Sequence, residues 1–267
     1  LQSIISYSRN ARVTIDEALE SKHPRFLPLS DQIREIATRY EKQKREANAM
    51  DFDDLLLVTL ELMKTKPEIH RRFADQFEYI LVDEYQDTNP VQAELVGLLA
   101  SKHRNLLVVG DDAQSIYAFR AASVRNILDF PTQFPDAKVF RLETNYRSTP
   151  EILNVANDII TKNQAQVPKT LRSTKDSHLK PQLAPANTSQ GEAAFIAGEI
   201  LKLRDHGVKL ENIAVLFRAT HHSQSLEFEL ARRDVPYEYR GGMKFFERSH
   251  IKDALAETEF QFRLPRE

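Results

Sequence analysis

At 267 residues the chain is long enough for one large domain or two modest ones, with a substantial core in either case. Hydrophobic residues make up 41% and charged residues 28%, the balance of a globular, soluble class. Lys and Arg number 37 against 39 Asp and Glu, a formal net charge of -2, so a site for a polyanion has to be local.

Cysteine is absent, which excludes disulfides and thiolate metal sites and fits a reducing compartment. No apolar run approaches the roughly 20 residues of a membrane span, and the N-terminus lacks a signal-peptide core, so no membrane is expected and the expected location is cytoplasmic. Of the 7 glycines the first is Gly97, and the phosphate-cradling pattern G-x-x-x-x-G-K-[ST] occurs nowhere.

"SKHPRFLPLS" carries two prolines and reads as a loop. Residues 30–47 place Ile33, Ile36, Ala37 and Tyr40 at helical spacing behind Ser30 as N-cap, an amphipathic surface helix. "MDFDDLLLVTLELM" (50–63) is a second helix with a wide apolar face. "ILVDEYQDTN" (80–89) begins as a buried strand and ends in acids; Asn89-Pro90 then opens a helix with Val91, Leu95, Leu98 and Leu99 on one face. "NLLVVGDD" (105–112) is a second strand ending in acids. "KVFRLETNYRS" (138–148) is a third, and Ser148 to Glu151 satisfies the S-x-x-E capping box of a further helix. Strands alternating with helices imply a parallel sheet with functional residues at the strands' C-terminal ends. A polar, proline-bearing connection covers about 163–191. A helix through Ile196, Ile200 and Leu203, a strand at 212–220, another helix and a strand-like "PYEYRGG" (236–242) suggest a second α/β unit, and two such units would form a cleft.

An apolar strand followed by Asp83-Glu84 has the form of a Walker B site, in which the Asp holds magnesium and the Glu polarises an attacking water. Two adjacent acids after a strand are more often a helix N-terminus or a solvated loop. In "VVGDDAQSIYAFRAA" (108–122), Gly110 lies where the chain must turn, and the Gln114 amide is placed to sense a phosphate. Tyr117, Phe119 and Arg120 suit stacking on nucleic-acid bases, or else the two rings are core. Arg147, just before a capped helix, is placed either as an arginine finger or as the ion-pair partner of a neighbouring acid, and Tyr146 could stack on a purine.

"LVDEYQDTN", "VVGDDAQSIY-FR" and "LETNYRS", in this order at three strand ends, closely resemble the UvrD/PcrA/Rep family of superfamily 1 DNA helicases, with "MDFDDLL" upstream and "YRGGMKFFERSHIKDALA" downstream. The resemblance covers about residues 30–256. It implies an α/β fold of P-loop NTPase (RecA-like) type, parallel sheets flanked by helices in two partial motor domains. ATP and magnesium would be the cofactors, and single-stranded DNA and duplex junctions the partners, with 3′ to 5′ travel. Repair or replication proteins are further partners consistent with the family. Asp83 would then be the magnesium ligand and Glu84 the general base. Gln114 would sense the γ-phosphate, Arg147 contact it, and Tyr146 stack on adenine. Tyr117, Phe119 and Arg120 would couple nucleotide state to DNA bases, Phe119 standing where many members have Trp. Arg218, in "LFRAT", resembles a DNA-contacting "YRTN" stretch, with Thr220 in place of the Asn.

The expected division is a remnant of a helical insertion (1–46), the C-terminal part of a first motor domain (47–142) and the N-terminal part of a second (143–247). The start of a second insertion follows, with a divergent tail (248–267). This has the form of an internal fragment without the Walker A loop and the C-terminal motifs, expected to be nearly inactive alone. Two other readings stand beside the motor: a degenerate module that binds nucleic acid or acts as a scaffold, and a carboxylate-metal nuclease using Asp83, Glu84 and Asp87.

Overall fold

A computed structural model describes residues 1–240. It forms two compact units, Leu1–Lys180 and Pro181–Glu267. The downstream "GGMKFFERSHIKDALA" and the tail lie outside the described residues.

The first unit opens with α1 (Gln2–Ala11), which ends at Arg12 in the left-handed region, and α2 (Ile15–Lys22), started by a reciprocal capping box between Thr14 and Glu17. The proline-bearing segment after it is a 3-10 turn, Pro24–Leu29, rather than an open loop. That turn runs directly into α3 (Ser30–Glu46), so Ser30 is already helical and caps nothing. Ile4, Leu19 and Ile33 form one buried cluster across these three helices. α4 (Phe52–Thr65) is started by Asp51 and Asp54 in a second capping box, and α5 (Pro67–Gln76) follows with proline in its first turn.

Carboxylates hold α1 and α3 against the start of α4. Lys44 Nζ lies 2.8 Å from Asp51 and 2.7 Å from Asp54, and Arg9 bonds Asp54 and lies 3.1 Å from Glu41. Glu41, Asp51 and Asp54 are close enough together to ligate a cation, but the ammonium and guanidinium already supply that charge.

β1 (Ile80–Val82), a 3-10 turn, α6 (Pro90–Leu99) and β2 (Leu106–Val108) form a strand-helix-strand unit. Asn89 and Gln92 complete the capping box of α6. The strands pair in parallel, Ile80 with Leu106 and Val82 with Val108. β1 is not the buried strand its sequence suggests: Leu81 is 72% exposed and Leu107 51%, so only one face of the ribbon is covered. Two 3-10 turns, Asp112–Gln114 and Ala118–Arg120, lead to the short helices α7 (Arg125–Leu128) and α8 (Phe130–Gln133). There Phe130 packs edge-on against the buried Tyr85 ring.

The expected strand at 138–148 shrinks to β3 (Thr144–Asn145), and its partner is β4 (Arg172–Ser173), not β2. Val139, Phe140 and Leu142 are exposed and have no strand partner among the described residues. α9 (Pro150–Ile160) joins β3 to β4, so the long polar connection contains a strand. The capping box expected at its start is not formed. Thr149 takes the cap position without a side-chain bond, and Glu151 turns to the Ser177 hydroxyl and the His178 N–H instead.

In the second unit α10 (Ser189–Asp205) and α11 (Ser223–Arg232) enclose Ala193, Ala197, Ile200, Leu226, Leu230 and Val235. The strands expected at 212–220 and 236–242 are not assigned among the described residues. Ile213 and Ala219 have extended dihedrals, and Phe217 stacks on Tyr239 at 5.9 Å, but no strand ladder forms among the described residues. Extended dihedrals without ladder hydrogen bonds do not make a sheet.

Candidate functional site

Two turns at the C-terminal ends of β1 and β2 carry most of the candidate residues. Parallel pairing places both turns at one end of the sheet, and the Tyr85 N–H donates to the Val109 carbonyl at 2.9 Å. Glu84 has φ 51° and ψ 41°, a left-handed conformation that costs a non-glycine residue roughly 1–2 kcal/mol. Such strain persists only where surrounding structure over-determines it. Here the determinants are Tyr85 and Gln86, both 1% exposed.

Gln86 ties the two turns together. Its Nε2 donates to Glu84 Oε2 at 2.8 Å, and its Oε1 accepts the Asp111 N–H at 3.0 Å. Gly110 makes this possible, because a Cβ there would lie 2.4 Å from Gln86 Oε1. The sequence placed Gly110 at a turn; its structural role is close approach to this amide. Asp111 Oδ2 in turn accepts from Gln114 Nε2 at 2.8 Å. One hydrogen-bonded chain therefore runs Glu84, Gln86, Asp111, Gln114.

Asp83 and Glu84 are exposed. Asp83 Oδ1 accepts the Glu84 N–H at 2.9 Å, and no cation pairs with Asp83 among the described residues. A carboxylate so placed fits a hard, oxygen-seeking cation such as magnesium. Asp87 is different: burial raises its carboxyl above the usual range, the nearby Glu84 charge adds to this, and its Oδ1 has no partner among the described residues.

Tyr117 and Phe119 are 39% and 66% exposed, so they are not core residues. Their centroids lie 5.8 Å apart, and the Arg120 guanidinium sits within 5.8 Å and 5.6 Å of the two rings, a cation–π cluster. All three line a cavity of about 650 Å³, together with Tyr7 and Asn10 of α1 and with Asp87. Sequence reading did not bring α1 to this place.

Tyr146 (74% exposed) and Arg147 lie in a turn closed by Asn145, whose Oδ1 accepts the N–H groups of Arg147 and Ser148. The ion pair considered for Arg147 is not formed among the described residues, and its guanidinium is exposed. Arg218, in the second unit, lines a cavity of about 330 Å³ with Ser189, Glu192 and His222.

Residues 2–135 match the UvrD/REP helicase N-terminal domain, and residues 140–261 match the UvrD-like helicase C-terminal domain. The chain belongs to the UvrD/REP helicase family. Relatives include the ATP-dependent DNA helicase PcrA of Staphylococcus aureus and of Staphylococcus epidermidis, each 42% identical over 227 residues. The alignment covers 85% of this chain but 31% of each relative, so the chain spans about a third of the length of the curated relatives it matches.

Two residues that tie the candidate site together were missed by sequence reading. Gln86, inside the acidic run, is the buried joint between the turns. Lys169, far along the chain, meets Asp111 and Asp112. Neither carries a local signal: the burial of Gln86 shows only in the fold, and Lys169 meets its partners across more than fifty positions.

Proposed function

We propose that this chain forms part of an ATP-dependent DNA helicase that couples ATP hydrolysis to movement along single-stranded DNA and unwinding at duplex junctions. The observation carrying this reading is the hydrogen-bonded chain from Glu84 through Gln86 and Asp111 to Gln114. It puts a carboxylate suited to activating water and an amide suited to sensing phosphate on one rigid frame. Family membership supports the reaction class, and the relatives bear the corresponding names.

Asp83 would hold magnesium, which when bound neutralises phosphate charge. Glu84 orients and deprotonates the attacking water, Gln86 fixing the carboxylate that does so. Gln114 reports the terminal phosphate, and the exposed Arg147 guanidinium stabilises charge developing on it. Tyr146 stacks on the adenine. Tyr117, Phe119 and Arg120 offer DNA bases a π face backed by a cation, and Arg218 contacts the DNA backbone. In this reading the fold is RecA-like, with 47–142 and 143–247 belonging to two motor domains and 1–46 and 248–267 to insertions. Travel is 3′ to 5′, in repair or replication in the cytoplasm.

The 267 residues contain no phosphate-cradling G-x-x-x-x-G-K-[ST] loop. Phosphoryl transfer depends chiefly on positioning and electrostatics. The chain alone is therefore expected to hydrolyse ATP barely or not at all, whereas a version extended upstream with a Gly-rich loop turns over ATP when single-stranded DNA is added. Magnesium-dependent phosphate release from both proteins tests this. Brisk turnover by the short chain overturns the account of the phosphate cradle. Silence in both, with DNA still bound, favours a nucleic-acid-binding module over a motor.

A further inference from the structure

We propose that Lys169 is a positioning residue: by clasping Asp111 and Asp112 it fixes the carboxylate that orients Gln114, and so joins the C-terminal family segment to the phosphate-sensing turn. This rests on the reading of Gln114 as a phosphate sensor.

The residues on either side of the clasp belong to different parts of the family pattern. Asp111, Asp112 and Gln114 lie in the segment that matches the N-terminal helicase domain, and Lys169 lies in the segment that matches the C-terminal one. The Lys169 ammonium bonds Asp111 Oδ1 and lies 3.3 Å from Asp112 Oδ1. Its side chain is 17% exposed, and that of Asp112 is 5% exposed. The backbone makes a second attachment beside it, the Val167 N–H donating to Asp112 Oδ2 at 3.2 Å.

Asp111 is fully engaged. Oδ1 takes Lys169 and the Ala113 N–H, while Oδ2 takes the Gln114 amide. Burial alone would raise this carboxyl, but the bonds from Lys169 and Gln114 outweigh it and hold it below the usual range. An ionised Asp111 can only accept, which forces the Gln114 side chain to present its Nε2 to Asp111. The second Nε2 proton and the Oε1 of Gln114 then have a defined direction. Removing Lys169 leaves two adjacent carboxylates without their shared cation, one of them nearly buried, and the acceptor that aims Gln114 loses its anchor.

The clasp differs from an ordinary surface pair in what it touches. The Asp111 N–H bonds Gln86, and Gln86 bonds Glu84. Displacement of Asp111 is therefore transmitted to both ends of the frame, without Lys169 touching either Gln114 or Glu84.

The test reads Gln114 directly in the chain itself. The side-chain amide resonances of Gln114, assigned by their loss in Gln114→Asn, are expected to shift in Lys169→Met and in Asp111→Asn and to stay in place in Lys169→Arg. The Gln92 and Asn126 amides, held by other partners, serve as folding controls. If Lys169→Met disturbs those too, Lys169→Gln, which keeps a donor without the charge, decides. An unmoved Gln114 amide in a folded Lys169→Met or Lys169→Gln protein overturns the proposal.

A chimera in which this chain replaces the matching stretch of the Staphylococcus aureus relative supplies the second readout. Lys169→Met should lower kcat for DNA-stimulated ATP hydrolysis by roughly 10- to 100-fold with little change in KM, Lys169→Arg should recover most of it, and Lys169→Met should add nothing to Gln114→Ala. A Lys169→Met loss that adds in full to that of Gln114→Ala overturns the positioning role. Unchanged turnover in Gln114→Ala instead overturns the reading of Gln114 as sensor, while the amide signal still decides whether Lys169 positions it.

Discussion

Single backbone positions around the site carry different expectations. At Gly110 an added Cβ would meet Gln86 Oε1 at 2.4 Å and Ile127 Cδ1 at 2.8 Å. Gly110→Ala therefore forces the buried amide off its partners, and we expect a loss of about 1–3 kcal/mol from overpacking, seen as a lower urea midpoint. Ala121 has φ 64° and is 4% exposed. An L-residue with a Cβ in that conformation costs roughly 1–2 kcal/mol, whereas glycine adopts it freely. Ala121→Gly gives up one buried methyl, worth about 0.8 kcal/mol, and adds backbone freedom to the unfolded chain, worth roughly 0.5–1 kcal/mol, so the net is close to zero, against the clear loss at Gly110. A midpoint that falls as far as that of Gly110→Ala would show that these losses outweigh the backbone strain.

At the scale of elements, the clasp between α1, α3 and the start of α4 decides how the first unit responds to acid. Burial raises the Asp54 carboxyl, but the bonds from Lys44 and Arg9 outweigh it and hold it well below the usual range, and Asp51 is held low in the same way. A carboxyl whose folded pKa lies below its unfolded value, about 3.9 for Asp, contributes stability in full above that value. The contribution is lost as pH falls through the folded pKa. Helical signal from this unit should therefore hold at about pH 5 and decline on acidification below about pH 4. Lys44→Met leaves Asp54, with 8% of its side chain exposed, with Arg9 as its one cation among the described residues, beside the bond it accepts from the Asp51 N–H. Because Arg9 still supplies a cation, we expect it to destabilise the protein by roughly 1–3 kcal/mol at neutral pH. The gap to the unchanged protein should narrow as pH falls below about 4, because the unfolded chain and the variant take up the Asp54 proton before the clasped carboxyl does. Urea unfolding of both proteins at the two pH values checks this; a pH-independent gap would mean that Lys44 acts through packing alone.

For the whole molecule, what the sequence made legible follows the range of the forces involved. The helices starting at Asp51 and Asn89 were readable from their apolar faces and from Pro90, and the acids after β1 from their place at a strand end, whereas the caps expected at Ser30 and at Ser148–Glu151 did not form. Residues 138–148 and 212–220 have strand-forming composition, yet composition specifies extended backbone and not a hydrogen-bonding partner, so only Thr144–Asn145 became a strand. The candidate site shows the same limit. Asp83, Glu84 and Gln114 were proposed from strand ends, whereas Lys169 meets Asp111 across 58 positions and was not. The connection between the two compact units was legible as polar and proline-bearing, and residues 179–188 are exposed without regular structure. Each unit has its own buried cluster, around Leu19 in the first and Ala197 in the second. Exposed, irregular connections are the preferred sites of proteolytic nicking. Limited chymotrypsin digestion should therefore cut first at Leu179 or Leu183, 78% and 94% exposed. Mass spectrometry should find two persistent fragments meeting between 179 and 188, both with helical circular dichroism. Early cleavage instead at Leu19 or Leu226, each inside a cluster, would mean that neither unit holds its core as described.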